Sequence, residues 1–282
     1  MILLVASEAE VCPMYAELLE DTGIRHVKAS FGNFTTPDLY SANITKANGD
    51  CSKLAFRASV VSVGATPQST LSSIPGATKY AQPFYTREHA QETKMLLEKM
   101  ERRVRNGLKP RIAIVGGGYG GVELAACVKR RLSQCDVTLL TRGPPMSGTR
   151  GEALVDKALS RLGVRIELCG VQSLETATNL SDNTSKDKVM ISRTKMDEER
   201  TLMDDSEPWD AVLWTAGSGP ACPVSEGILG LKQVEGSGRL MIDKTLRCVF
   251  DDSSGGLRKP PVWALGDCAQ MVDETGAYPY PI

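Results

Sequence analysis

Two apolar patterns recur along the chain. Short, nearly continuous apolar runs that stop at a glycine or small-residue turn predict buried parallel strands, and apolar residues spaced three and four apart predict helices. Runs at 58–63, 112–115, 136–140 and 164–168 are of the first kind. So are the stretch that opens at Trp209 and turns at Thr215-Ala216-Gly217, and a last short strand in 260–267 that ends in Gly266-Asp267. Helices are predicted over 8–21, over Arg87–Arg105, after the glycines at 116–121, and over 153–162. Pro13 makes the first short or broken, with Met14, Leu18 and Leu19 on one face and Thr22-Gly23 as its stop. The second has Thr86 as cap, an apolar set of Ala90, Met95, Leu96, Leu97 and Met100, and Asn106-Gly107 as its end. Arg102, Arg103 and Arg105 in its last turn read as a solvated cationic helix end. Gly163 closes the helix over 153–162 before the next strand.

Less regular stretches fill the gaps. Residues 24–31 predict a strand, and 32–56, polar and rich in turn residues, predict an antiparallel meander or a loop. Ile74-Pro75-Gly76-Ala77 predicts a turn, and 78–85, with Pro83, a linker. Segments 171–177 and 188–193 predict an antiparallel excursion around an exposed tip at 179–186. Residues 196–208 are acidic and loop-like, and 238–242 predict a short strand.

The stretch 111–124, RIAIVGGGYGGVEL, organises the rest. A strand, a glycine run and a helix start follow one another. Gly116, Gly118 and Gly121 fit G-x-G-x-x-G, with Gly117, Tyr119 and Gly120 between them. The first glycine permits the turn, the second lets a pyrophosphate reach the backbone, and the third lets helix and strand pack closely. The N–H groups of the helix start then face the phosphates. Twenty residues past Gly121, where an NAD site usually carries an acid, stand Thr141 and Arg142, with Arg150 further on. A cation there suits a 2′-phosphate, so NADPH is expected over NADH.

Composition narrows the rest. Lys plus Arg number 33 and Asp plus Glu 34, which gives no electrostatic case for nucleic acid. Apolar content of 41% and charged content of 24% are those of a soluble globular protein, and 282 residues suffice for two domains. No apolar run approaches the length of a membrane-spanning helix, and no targeting segment is recognisable. Eight cysteines are scattered without a C-x-x-C and read as reduced thiols in an intracellular compartment. His26 and His89 are too few and too far apart to suggest a metal site.

Taken together, the glycine loop, the Thr215-Ala216-Gly217 exit and Ala264-Leu265-Gly266-Asp267 resemble the two-dinucleotide-binding-domain flavoproteins. Within them the chain is similar to the type II NAD(P)H:quinone oxidoreductases, in particular the plant and algal plastid branch. Segments 75–77, 83–86, 116–126 (with Tyr119 and Glu123) and 212–215 carry that likeness. The resemblance implies an α/β fold with a Rossmann-like NAD(P)-binding domain, 106–245, inserted in a partial FAD-binding domain. The latter would comprise 1–105, including a linker helix, and a return segment, 246–282. It implies FAD and NADPH (or NADH) as cofactors, and a quinone or other small electron acceptor as partner. Gly116, Gly117, Gly118, Tyr119, Gly120, Gly121, Thr141, Arg142, Ala216 and Gly217 would hold NAD(P)H. Glu123 would stand beside nicotinamide and flavin as the catalytic residue. Gly64, Ala65, Gly266 and Asp267 would meet the FAD.

The resemblance also implies that the first G-x-G-x-x-G unit and the C-terminal region of the family lie outside this chain. The partial FAD domain is then expected to expose apolar surface. Plastid or mitochondrial location, peripheral membrane association of the full-length protein and a homodimer are implied in the same way. Two alternatives stay open: an NADPH-binding module or pseudoenzyme without flavin, and a soluble flavoprotein disulfide reductase.

Overall fold

The structure, a computed structural model, describes residues 14–34, 40–67, 70–177, 188–196, 202–204, 207–220, 231–235, 237–250 and 261–272. The predicted hairpin tip at 179–186 lies outside them. The chain divides into two compact units, one holding Pro67–Ser218 and the other Pro13–Thr66 with Gly219–Ile282.

The second unit begins with a short helix α1 (Tyr15–Leu18). Residues 8–13 of the predicted helix are outside the described range. Strands β1 (Ala29–Phe34), β2 (Ser41–Lys46) and β3 (Cys51–Ala55) form an antiparallel meander, the first of the two forms predicted for 32–56. β1 starts later than the strand predicted over 24–31 and takes its register from β2. β4 (Ser59–Val61) and β5 (Ala65–Pro67) follow, and the chain then leaves the unit.

The first unit is built on one sheet. Helices α2 (Thr70–Ser73) and α3 (Ala77–Tyr80) come before β6 (Gln82–Pro83) and the long α4 (Arg87–Arg105). There follow β7 (Arg111–Val115), α5 (Tyr119–Arg131), β8 (Asp136–Thr141), α6 (Glu152–Leu162) and β9 (Val164–Thr176). Strands β10 (Val189–Lys195), β11 (Leu202–Asp204) and β12 (Ala211–Trp214) complete it, and β13 (Ser218–Pro220) begins at the last residue of the unit. Among the described residues seven strands form the sheet, in the order β11-β10-β9-β8-β7-β12-β6. β9 to β6 run parallel, while β10 and β11 are antiparallel extensions. Strand order reverses at β7, with β8 on one side and β12 on the other. In open α/β sheets the crevice at such a reversal, outside the carboxyl ends of the strands, is where ligands bind.

Period-two alternation gives each face of the sheet its own core. Ile112, Ile114, Val137, Leu139 and Leu213 point towards the helices and pack with Leu97, Met100, Leu124 and Val128. Ala113, Val115, Leu140, Val212 and Trp214 point the other way and pack with Ala77, Leu174 and Trp209. Each large apolar side chain buried this way contributes about 1.5–3 kcal/mol.

Several expectations are corrected here. Residues 78–85 are no plain linker: α3 and β6 lie there, and β6 pairs in parallel with β12. The acidic 196–208 stretch contains β11, held by β10. Strand β9 does not stop at 168 but continues through Gly170 to Thr176. In α4, Met95 is exposed and Thr93 is buried in its stead, since the face towards β7 is set by Leu97 and Met100. That same packing places α4 with the glycine-loop unit, within Pro67–Ser218. The helix end is not wholly solvated either. Arg103 reaches the buried Asp210 carboxylate at 2.8 Å, and the Arg111 N–H donates to the same carboxylate at 2.8 Å.

The second unit resumes with β14 (Leu240–Ile242), β15 (Val262–Ala264), a 3₁₀ turn (Gly266–Cys268) and β16 (Ala269–Met271). β15 pairs in parallel with β4, and β14 with β16. Val61, Leu240, Ile242, Val262 and Ala264 share one core. Val60 and Val63 stay exposed, at 59% and 46%.

Candidate functional site

The glycine loop runs from the end of β7 into α5, and Gly116, Gly117, Gly118 and Gly121 each have a distinct reason. Gly116 has φ +121°, and a Cβ there would meet the Thr215 hydroxyl at 2.6 Å and the Ala216 nitrogen at 2.9 Å. A Cβ on Gly121 would overlap the Gly116 carbonyl and meet the same hydroxyl at 2.7 Å. That hydroxyl is fixed, because both the amide and the side chain of Thr215 donate to the Val115 carbonyl, at 2.9 Å each. The third glycine of the motif thus does what its spacing predicts: it lets α5 press onto the strand exits. Gly118 is different. A Cβ there would meet nothing within 4 Å, and Gly118 is the N-cap of α5 without a side-chain cap. The first N–H groups of a helix have no partner inside it, so this end presents bare donors and a positive dipole to open space.

Gly117 is packed against Thr141, whose hydroxyl overlaps the place of a Cβ on that glycine. Thr141 is buried and donates to the Gly143 carbonyl at 2.8 Å. Its hydroxyl therefore seats the loop after β8 under the glycine loop. The same loop is tied a second time by the Met146 N–H, which donates to the Gly117 carbonyl at 2.7 Å. Arg142 and Arg150 are exposed, and neither makes an ion pair among the described residues.

At the carboxyl ends of β7, β8 and β12, and beside the middle of β9, lies a cleft of about 300 Å³, lined by Val115, Gly116, Leu140, Arg142, Cys169, Gln172, Trp214 and Ala216, with Ser73 and Ile74 from the α2–α3 segment. Three of the sequence-predicted site residues, Gly116, Arg142 and Ala216, thus line one cavity. Tyr119, Gly120 and Glu123 are exposed on the first turns of α5 and do not line it. Gly217 follows Ala216 with φ +78°. Cys169, Gln172, Ser73 and Trp214 were not among the predicted site residues. Only Trp214 had a signal, its place directly before the small-residue exit.

Gly64, Ala65, Gly266 and Asp267 belong to the other unit. Gly64 follows β4 with φ +70° and Gly266 follows β15 with φ +73°. The two strands are paired in parallel, so both turns stand at the carboxyl end of the pair. The Leu265 N–H donates to the Val61 carbonyl at 3.0 Å, and the Cys268 thiol to the same oxygen at 3.5 Å, which fixes the 3₁₀ turn that carries the exposed Asp267.

A profile of the pyridine nucleotide-disulphide oxidoreductases matches residues 12–278. The chain belongs to this family. Among curated relatives, the alternative NAD(P)H-ubiquinone oxidoreductase C1 of Arabidopsis thaliana is 30% identical over 95% of this chain and 51% of its own length. The demethylphylloquinone reductase NdbB of Synechocystis is also 30% identical, over 95% of this chain and 59% of its own. The chain thus spans little more than half the length of the curated relatives it matches. Among solved structures, an engineered water-forming NADPH oxidase bound to NADPH aligns with a TM-score of 0.68 at 18% identity, over 100% of this chain and 56% of that one. NDH2 of Plasmodium falciparum in complex with NADH aligns with a TM-score of 0.59 at 16% identity, over 82% and 48%. At those identities the likeness is one of fold: the α/β, Rossmann-like fold of this oxidoreductase family.

Proposed function

We propose that this chain is the nucleotide-binding core of an FAD-dependent NAD(P)H dehydrogenase that passes electrons to a quinone. The observation that carries the reading is the open N-terminus of α5 at Gly118, beside a cleft that holds Arg142 and Ala216 at the strand-order reversal. The bare N–H groups there suit a pyrophosphate. Arg142, exposed and without an ion pair among the described residues, is assigned to the 2′-phosphate of NADPH, and Ala216-Gly217 to the far end of the dinucleotide. The solved NADPH oxidase supports that preference: it was engineered by exchange of an aspartate and introduction of two arginines, and it is bound to NADPH.

Glu123 is assigned to the nicotinamide–flavin contact on the family resemblance. Gly64, Ala65, Gly266 and Asp267 fit a flavin nucleotide, with two positive-φ turns at the carboxyl ends of paired parallel strands and an exposed carboxylate to accept from a hydroxyl. Flavin, when bound, supplies the two-electron chemistry that links nicotinamide to acceptor. The names of the Arabidopsis and Synechocystis relatives support a quinone as that acceptor, and that of the Arabidopsis relative supports a plastid or mitochondrial setting. No helix among the described residues is long and apolar enough to cross a membrane.

A second reading, a module that binds NADPH without flavin, is favoured by the contrast between the units. The first has a seven-stranded sheet with a core on each face, whereas the described parallel strands of the second pair only two by two. Reconstitution of the purified chain with excess FAD separates the readings. Stoichiometric flavin absorbance supports the dehydrogenase. A colourless protein that still binds NADPH supports the module, and one that binds neither contradicts both.

A further inference from the structure

Two side chains converge on one carbonyl at the exit of β12. The Tyr85 phenol donates to the Ala216 carbonyl at 2.6 Å, and the Trp214 indole N–H donates to the same oxygen at 3.0 Å. A carbonyl oxygen offers two lone pairs, and these two donors match them. Tyr85 arrives from far away in sequence. The pairing of β6 with β12 continues one step beyond the strand, where the Phe84 N–H donates to the Trp214 carbonyl at 3.0 Å, and this brings Tyr85 alongside the exit. Trp214 is 2% exposed and Tyr85 is half-buried. Burial pushes the Tyr85 phenol up to about 12, so it stays a proton donor across the physiological range.

The peptide so held is Ala216–Gly217. A peptide is planar and trans, so a carbonyl fixed on one side fixes the following N–H, that of Gly217, on the opposite side. The Ala216 nitrogen lies 2.9 Å from where a Cβ on Gly116 would be, so the clamped segment borders the glycine loop. Trp214 and Ala216 line the same cleft as Arg142. Arg142 follows β8, on one side of β7, and the clamp follows β12, on the other. A dinucleotide whose pyrophosphate rests on α5 reaches both sides of β7. With its 2′-phosphate at Arg142, its nicotinamide falls on the β12 side.

We infer that Tyr85 and Trp214 are positioning residues for the nicotinamide half of NAD(P)H, acting through the Ala216–Gly217 peptide they hold. The inference rests on the proposed nucleotide reading of the cleft. It is tested with NADPH and with 2′-phospho-ADP-ribose, the same molecule without nicotinamide, titrated into the wild-type chain, Tyr85→Phe and Trp214→Phe.

Loss of one neutral hydrogen bond is expected to weaken NADPH about two- to tenfold. The affinity for 2′-phospho-ADP-ribose is expected to stay that of the wild type. A merely structural role would lower the thermal midpoint and move both affinities by one factor, or neither. Either of those results overturns the inference while leaving the nucleotide reading in place. A wild-type chain that binds neither probe overturns both. Tyr85→Phe removes a single oxygen and decides the matter should Trp214→Phe fail to fold.

Discussion

A Cβ on Gly121 would come within 2.7 Å of the Thr215 hydroxyl, although the two residues sit on different elements and 94 positions apart. The hydroxyl cannot yield, since it donates to the Val115 carbonyl. Helix α5, strand β7 and the exit of β12 therefore meet at a point that only glycine fits. Gly121→Ala is expected to cost about 1–3 kcal/mol, the usual cost of overpacking. Gly120→Ala, one position away on the same helix with nothing within 4 Å, is expected to be neutral or slightly stabilising. Thermal unfolding of the two variants checks the contrast. Equal midpoints would mean that the helix does not press on the strand exits.

Arg103 and Asp210 set a second expectation. The Asp210 side chain is 4% exposed and its carboxylate is met by Arg103, by the Arg111 N–H and by Lys188 at 3.8 Å. Arg103→Met removes the nearest cation from a buried carboxylate, at a cost of about 3 kcal/mol or more. Arg102→Met, on the exposed side of the same turn, is expected to fall within about 0.5 kcal/mol of wild type. Urea denaturation of both compares them, and similar midpoints would contradict the role given to the pair.

Tyr85 makes stability depend on alkaline pH. Its folded-state value of about 12 lies above the ordinary phenol value near 10. Between those values the unfolded chain has released the proton and the folded chain still holds it. Stability contributed by the neutral phenol is therefore full below about pH 10 and declines as pH rises towards 12. Tyr85→Phe is expected to flatten that decline, and one slow-ionising phenol should vanish from the tyrosinate absorbance titration. An unchanged titration would show that Tyr85 is not the buried phenol.

Thiol chemistry separates Cys51 from Cys135. Both are free thiols; Cys51 is exposed on β3, whereas Cys135 is buried and burial pushes its thiol up to about 11. The thiolate is the reactive form. In the native chain iodoacetamide is expected to modify Cys51 rapidly and Cys135 only after unfolding, as read by peptide mass spectrometry. Early modification of Cys135 would contradict the packing of the α5–β8 turn.

The parts of this architecture that were legible in the sequence are those fixed by neighbours in the chain. Thr86 caps α4 by accepting from the His89 N–H, and the helix spans Arg87–Arg105 as its spacing predicts. Gly163 ends α6 in the left-handed region, as a helix-ending glycine should. What could not be read depends on distant partners. β6 is only two residues long and exists because β12 lies beside it. The sequence places Thr141 where an NAD site usually carries an acid, but that its hydroxyl lies beneath Gly117 and donates to the Gly143 carbonyl depends on how the two loops meet. Thr93 keeps the three- and four-residue spacing of Ala90, Leu97 and Met100 and is covered although polar, whereas Met95 falls off that face and is exposed although apolar. The clamp on Ala216 joins residues 131 positions apart, and no local pattern announces it.

The central claim is that a dinucleotide pyrophosphate rests on the N-terminus of α5 at Gly118. Gly118→Asp tests it most directly, because the two effects of the substitution have opposite signs. The position is an N-cap with φ −75° and open space around it, so aspartate should fold there and stabilise the helix by up to a few tenths of a kcal/mol. The same carboxylate would take the donors meant for the pyrophosphate and repel it. NADPH affinity, measured by titration calorimetry on the purified chain, is predicted to fall by about tenfold or more at an equal or higher unfolding midpoint. NADPH binding that survives unchanged in a folded Gly118→Asp variant would contradict the account.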